Sequence, residues 1–286
     1  MLSLLAFVTE SQPIQWAELG LRPGIDLGFF TLRYYSLAYL GGILFAYWHL
    51  SKMLRAAGAP LAQRHADDLF FYCTLGIIIG GRLGYATFYD PQLWTSLRIF
   101  QLWTGGMSFH GGLLGVLLAI AFVCRRGELK FLRVCDYIAV NVPVGMMLGR
   151  LANFINGELW GRPSDVPWAM VFPGAGPLAR HPSQLYEAAL EGAILVVILM
   201  VMYWKTRARY RPGLLVGIFT VGIASGRFIV EFFREPDAQL AEFARDTGLS
   251  MGQWLTIPLI ILGAVIMARA LIRKPLGSEA GAIAAA

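Results

Sequence analysis

The chain has 286 residues, of which 57% are hydrophobic, 13% aromatic and only 15% charged. Soluble domains carry about a quarter of their residues charged, so this composition excludes an ordinary water-soluble fold and points to a membrane protein. The net charge of +6 comes without a basic tract that would ask for nucleic acid; a membrane protein gains such a balance from basic loops facing anionic lipid.

In chain order, the first thirty residues lack the basic start and small-residue cleavage site of a signal peptide and are expected to be retained. A first span, the most polar of the set, is expected at about 29 to 51. Six further apolar stretches, each about 20 residues, are long enough to cross the hydrocarbon as helices: roughly 69 to 89, 108 to 125, 135 to 155, 183 to 204, 213 to 231 and 254 to 271. Residues 156 to 181 carry Trp160, Pro163, Pro167, Trp168, Pro173 and Pro177 and read as a small ordered cap without helical period. Its tryptophans fit interfacial anchors as well as packed residues. The segment Phe232 to Gln253 mixes Asp237, Glu242 and Asp246 with Arg234 and Arg245, as a short surface helix would. Cys73, Cys124 and Cys135 fall in or at the ends of spans, which argues against a disulfide framework. No loop is long enough to bury a core of its own, so residues 1–286 are expected to form a single transmembrane domain.

With the N-terminus outside, fourteen of the 24 Lys and Arg, from Lys52 to Lys274, fall on the inner side and only six on the outer side. The positive-inside rule then gives an all-α integral membrane protein of seven transmembrane helices, with a periplasmic N-terminus, a cytoplasmic C-terminus and a small periplasmic cap at 156–181. Six GxxxG spacings inside the spans, Gly76/Gly80 and Gly111/Gly115 among them, predict closely packed helix backbones.

Arg33, Arg82, Arg150 and Arg227 lie within these apolar stretches, where each would cost roughly 3 kcal/mol at a helix centre. Such residues need partners, and the four are read as a buried anion site. Under this topology Tyr35, Arg82, His110, Arg150, Asn153, Glu187, Arg227 and Glu231 all fall at the outer ends of their spans, whereas the inner halves read as nearly pure hydrocarbon. Polar groups that share a depth imply one cavity. Glu158, Glu187 and Glu231 would partly neutralise its arginines, and Arg227 with Glu231, four apart, would form an ion pair of their own unless the site uses them. Arg150, Asn153 and Gly157 share a helical face, and a guanidinium fork suits a phosphate, so a phospholipid headgroup is the natural ligand. The run Gly105-Gly106-Met107-Ser108-Phe109-His110-Gly111-Gly112 opens the third span and aims free amides at the same region. His110 is a candidate base or hydrogen-bond donor to the headgroup, His181 reads as a helix entry before Pro182, and His49 and His65 receive no role. The histidines are dispersed and the cysteines lie elsewhere, so no metal or other cofactor is expected.

The stretch Gly149-Arg150-Leu151-Ala152-Asn153-Phe154-Ile155-Asn156-Gly157-Glu158-Leu159-Trp160-Gly161-Arg162 closely resembles the signature of the bacterial prolipoprotein diacylglyceryl transferases. The 105–112 run, Arg180 through Glu187, and Arg227 through Glu231-Phe232-Phe233-Arg234 to Pro236-Asp237 resemble the same family, in order along the chain. Some relatives carry a tyrosine one turn before Arg227, where this chain has Ile223, so no phenol from that span enters the expected mechanism. The resemblance implies a multi-pass protein of the bacterial cytoplasmic (inner) membrane. It would move the diacylglyceryl group of phosphatidylglycerol onto the lipobox cysteine of preprolipoproteins, with glycerol phosphate released. By that similarity Tyr35, His110, Arg150, Asn153, Glu158, Gly161, Arg227 and Glu231 carry over as site residues. Arg150 would meet the lipid phosphate, Arg227 the leaving-group charge or the gating of the cavity, and His110 the thiol proton, with Glu158 open as the base in its place. The implied partners are phosphatidylglycerol, signal peptides with a lipobox and membrane lipids.

Two other classes fit parts of the pattern. A transporter or flippase for an anionic phospholipid also places arginines beside glycine-rich helices, but it needs polar groups leading to the inner side. An intramembrane serine protease would use Ser108 near His110, but the setting of a nucleophile elbow is missing.

Overall fold

The structure is a computed structural model and describes residues 13–29, 31–235 and 245–277. The described chain is mostly helical: α1 (Tyr34–Leu54), α2 (Gln63–Phe88), α3 (Phe109–Arg126), α4 (Phe131–Ala139), α5 (Val142–Ile155), α6 (Ser183–Glu187), α7 (Ile194–Lys205), α8 (Leu214–Val230) and α9 (Met251–Ile272). A six-residue π-helical segment, Ala188–Ala193, joins α6 to α7 without a break. Four of these helices are long and apolar enough to cross a membrane: α2, α3, the continuous Ser183–Lys205 and α9. The pair α4–α5, bent by 41° at its break, passes the same test only when taken together as one span.

Each expected span contains a helix, with three adjustments. The first begins only at Tyr34, because 31–33 is extended. The span expected at 135 to 155 breaks after Ala139: Pro143 has no N–H to offer the Ala139 carbonyl, so the ladder lapses there. The all-α expectation also misses two ribbons, β1 (Ile14–Gln15) with β4 (Met170–Val171) in parallel, and β2 (Gly24–Asp26) with β3 (Thr31–Arg33) antiparallel. Arg33 sits exposed in β3, ahead of the first helix and not within a helical span. Residues 236–244 of the surface helix expected at 232 to 253, Asp237 and Glu242 included, lie outside the described residues.

The described chain divides into two compact units. The first comprises Met1–Gly42, Pro143–Ile198 and Thr220–Gly263. Within it Gly42 packs on Gly145, and Gly192 on Met147, where an added Cβ would come within 2.5 Å of the Met147 Cβ. The cap is extended and irregular. Gly161 bridges to Arg234 and Pro163 to Arg180, and Trp160 stacks on the buried Phe172, so this tryptophan is a packed residue.

The second unit comprises Ile43–Val142, Leu199–Phe219 and Ala264–Ala286. Here α2 and α3 meet backbone to backbone through the expected glycines: a Cβ on Gly115 would fall 2.1 Å from the Gly76 carbonyl oxygen. The same unit overturns the expectation of a hydrocarbon interior toward the inner ends. His49 is buried, with Nδ1 2.7 Å from the Asn141 Oδ1, and its Nε2 accepts from the Trp204 indole at 3.1 Å. The Asn141 amide donates to the Tyr137 carbonyl at 2.8 Å. Asp136 accepts the N–H groups of Gly213 and Val216 at 2.7 and 2.8 Å and so caps α8. His49, Asn141 and Trp204 thus satisfy one another, while Asp136 is separately taken up by the start of α8, so each of these groups has a protein partner.

Candidate active site

The end of α5 explains how the signature residues come together. Gly157 has φ +66°, which a glycine adopts at no steric cost; its N–H bonds to the Phe154 carbonyl and that of Glu158 to the Asn153 carbonyl. This is a Schellman turn, and it folds the chain back so that Glu158 lies over the helix it has just left. The expected helical face through Arg150, Asn153 and Gly157 therefore stops at Ile155, with Gly157 as its terminator. In consequence the Asn153 side-chain amide donates to Glu158 Oε1 at 2.9 Å and to the Tyr35 hydroxyl at 3.2 Å, and Asn156 donates to the same Oε1 at 3.2 Å. Gln184 fixes the Glu158 carbonyl at 2.6 Å. Tyr35, Asn153, Asn156 and Glu158 are one hydrogen-bonded group.

A second group surrounds Glu187, whose side chain is fully buried. Its Oε1 receives Arg227 at 2.7 Å and Arg234 at 2.9 Å, and its Oε2 lies 3.4 Å from Arg150. Arg227 also meets Glu231 at 2.5 Å, and Arg150 meets the buried Glu191 at 3.7 Å. Glu231 is held in turn by the Ser250 hydroxyl at 2.8 Å. Three arginines here face three glutamates, so their formal charges cancel, where the sequence suggested a positive surplus. Glu191 and Arg234 are the members that sequence reasoning missed. Glu187 and Glu191 are four apart, as are Arg227 and Glu231, and that spacing was the available signal.

The arginines differ in what they have left to give. Arg150 is 22% exposed, has two long ion pairs and makes no side-chain hydrogen bond among the described residues. Arg82, expected in the anion site, is buried in the second unit, and its guanidinium donates to the carbonyls of Arg98, Ile99, Gln101, Gly105 and Gly106. A guanidinium has five N–H donors, and all five are taken. His110 also belongs to the second unit: it is the second residue of α3, exposed, and touches the Phe109 ring. Ser108 caps that helix by accepting from the Gly111 N–H at 3.3 Å.

Gly161 is a joint between cap and helix. Its N–H bonds to the His181 carbonyl at 2.9 Å, and a Cβ there would fall 2.4 Å from the Phe233 oxygen. Nearby, a groove of about 340 Å³ is lined by Trp168, His181, Tyr186, Leu190, Val230 and Phe233. The Trp168 indole donates to the Tyr186 hydroxyl at 2.6 Å, and that hydroxyl lies 3.1 Å from His181 Nδ1. Burial lowers the pKa of His181, with Asp165 opposing, which favours the neutral ring that accepts this proton.

Comparison with known proteins bears on which chemistry this arrangement serves. A family model described as Prolipoprotein diacylglyceryl transferase matches residues 24–269. Proteins named phosphatidylglycerol--prolipoprotein diacylglyceryl transferase are similar along nearly the whole chain. The one from Erythrobacter litoralis is 65% identical over 269 residues, covering 94% of this chain and 96% of its own length. Those from Zymomonas mobilis and Rhodospirillum rubrum are 50% and 48% identical, each covering 90% of this chain and 94% of their own. With a model spanning most of its length and relatives at this identity, the chain belongs to the prolipoprotein diacylglyceryl transferase family.

Proposed function

We propose that the protein transfers the diacylglyceryl group of phosphatidylglycerol to the thiol of a lipobox cysteine. The cysteine sulfur forms a thioether bond to the terminal glyceryl carbon, and the bond from that carbon to the phosphate oxygen breaks. Glycerol phosphate leaves with the bonding pair, and the thiol proton passes to a base on the protein. The setting is the bacterial inner membrane, crossed by seven helices with the N-terminus periplasmic and the C-terminus cytoplasmic. The chain works as one catalytic domain with the 156–181 cap on the periplasmic side.

Arg150 carries the reading: it is the partly exposed guanidinium whose donors are least used, so it can fork onto a lipid phosphate without dismantling the fold. Arg227, 27% exposed, meets the charge that grows on the departing phosphate, a contact that favours the transition state over the ground state. His110 accepts the thiol proton; it has no hydrogen-bond partner among the described residues, whereas Glu158 is held by two asparagine amides and serves to set Tyr35 and Asn153. Glu231 and Gly161 keep Arg227 and the cap in place. Arg82, with every donor engaged, is assigned to the loop it holds. The flippase alternative draws no support from His49 and Asn141, whose polar groups are engaged with each other and with Trp204.

The test is direct. The purified protein, given phosphatidylglycerol and a lipobox peptide, should yield a peptide heavier by one diacylglyceryl group, and a peptide with serine for the cysteine should stay unmodified. An unmodified cysteine peptide would refute the assignment.

A further inference from the structure

Arg82 and the loop it holds have a role the transfer chemistry does not use. The segment between α2 and α3 runs through three short 3-10 turns, Pro91–Thr95, Leu97–Phe100 and Leu102–Thr104. Such a loop would ordinarily turn its polar side outward. Here Leu97 is 82% exposed and Trp103 81%, with Trp94 and Phe100 also largely exposed, and Asp90 and Arg98 are the charged side chains between Tyr89 and Met107. An apolar surface of this kind on a loop marks a binding face.

What it binds follows from its attachment. Both ends of the loop emerge from helices long and apolar enough to cross a membrane, so the loop starts and finishes at a bilayer surface. Its exposed residues continue those of the helices, Phe88 at the end of α2 and Phe109 at the start of α3. Tryptophan is the side chain enriched at that depth, an apolar body with one N–H for the headgroup region. We infer that the 89–107 loop is a preformed platform that seats in the lipid interface, and that Arg82 is its latch.

The latch explains how so apolar a loop keeps a shape. Five carbonyls spread over Arg98 to Gly106 converge on one buried guanidinium, which fixes the backbone and leaves the side chains free to face lipid. The Ser108 N–H bonds to the Gly81 carbonyl at 2.8 Å, tying the far end of the loop to α2 directly before His110. Seating the loop therefore sets the depth of the α3 N-terminus, and Arg82 is a positioning residue acting through it.

The experiment uses the full chain in proteoliposomes, with phosphatidylcholine brominated either close to the glycerol or near the chain ends. Emission of a Trp94→Phe/Trp103→Phe variant is subtracted from that of the wild type, leaving the two loop tryptophans. Shallow bromines should remove about half of that difference and deep bromines much less, as for residues in an interfacial belt. A difference spectrum that neither bromine quenches places the tryptophans in water or under protein and overturns the docking. Separately, Arg82→Gln should speed amide exchange across Arg98–Gly106 by roughly tenfold or more, since the loop then opens locally. Unchanged exchange would remove Arg82 as the latch. Should that variant fail to accumulate, Arg82→Lys, which keeps the charge and loses the fork, is read for the same change.

Discussion

Arg227 and Glu187 meet at 2.7 Å from α8 to α6, so the ion pair that Arg227 makes with Glu231 along its own helix is one part of a larger junction. Glu187 also receives Arg234 and Arg150. The two glutamates should therefore differ sharply when neutralised. Glu187→Gln removes the carboxylate that three guanidiniums share, leaving one positive charge of the buried junction uncompensated, and should cost about 3 kcal/mol, whereas Glu231→Gln leaves Arg227 with Glu187 and should cost less. Thermal unfolding of the two variants in the same detergent checks this, and equal losses would contradict it.

Neutralising Arg227 together with Glu231 separates structure from chemistry. Arg227→Gln/Glu231→Gln removes one charge of each sign and leaves Glu187 with two arginines, so melting should recover toward the wild type. Turnover should stay roughly 100-fold low, because a cation at that spot is needed only as the phosphate departs. Single-turnover rates at saturating phosphatidylglycerol give the answer; recovery of both quantities would make Arg227 purely structural.

Which of these relationships the sequence could reveal depends on the kind of partner involved. The helices were legible because apolar length is written in side chains, and the α2–α3 seam because Gly76, Gly80, Gly111 and Gly115 can be counted. Arg82 misled because its acceptors are backbone carbonyls of Arg98 to Gly106, which leave no mark in residue type. Glu191 was passed over inside an apolar run, and only the helical wall around it reveals its salt bridge to Arg150. Arg33 looked intramembrane because nothing in the composition showed that 31–33 would pair as a strand.

His110→Asn should keep phospholipid binding and slow transfer, since an amide can hydrogen-bond but cannot take up a proton near neutrality. The informative readout is rate against pH with the peptide substrate. A variant that keeps both rate and profile would move the base to Glu158.

Gly157→Ala tests the turn that delivers Glu158. A Cβ there must accept φ +66° and come within 2.8 Å of the Pro173 ring, so stability should fall by about 1–2 kcal/mol or more. Transfer should fall with it, as Glu158 leaves Asn153. An alanine variant with unchanged melting and rate would show that the turn tolerates the side chain and that Glu158 is held by other means.

The contact between Arg150 and a lipid phosphate is the center of the mechanism, and Glu191 supplies a way to isolate it. Arg150→Ala alone leaves the buried Glu191 without its cation and should destabilise the protein, while Arg150→Ala/Glu191→Gln should restore melting. The decisive measurement is thioether formation by mass spectrometry, wild type against this stability-matched double variant, in vesicles containing phosphatidylglycerol. Loss of transfer by about 100-fold or more in a normally melting variant is the expected result. Wild-type transfer without Arg150 would contradict it.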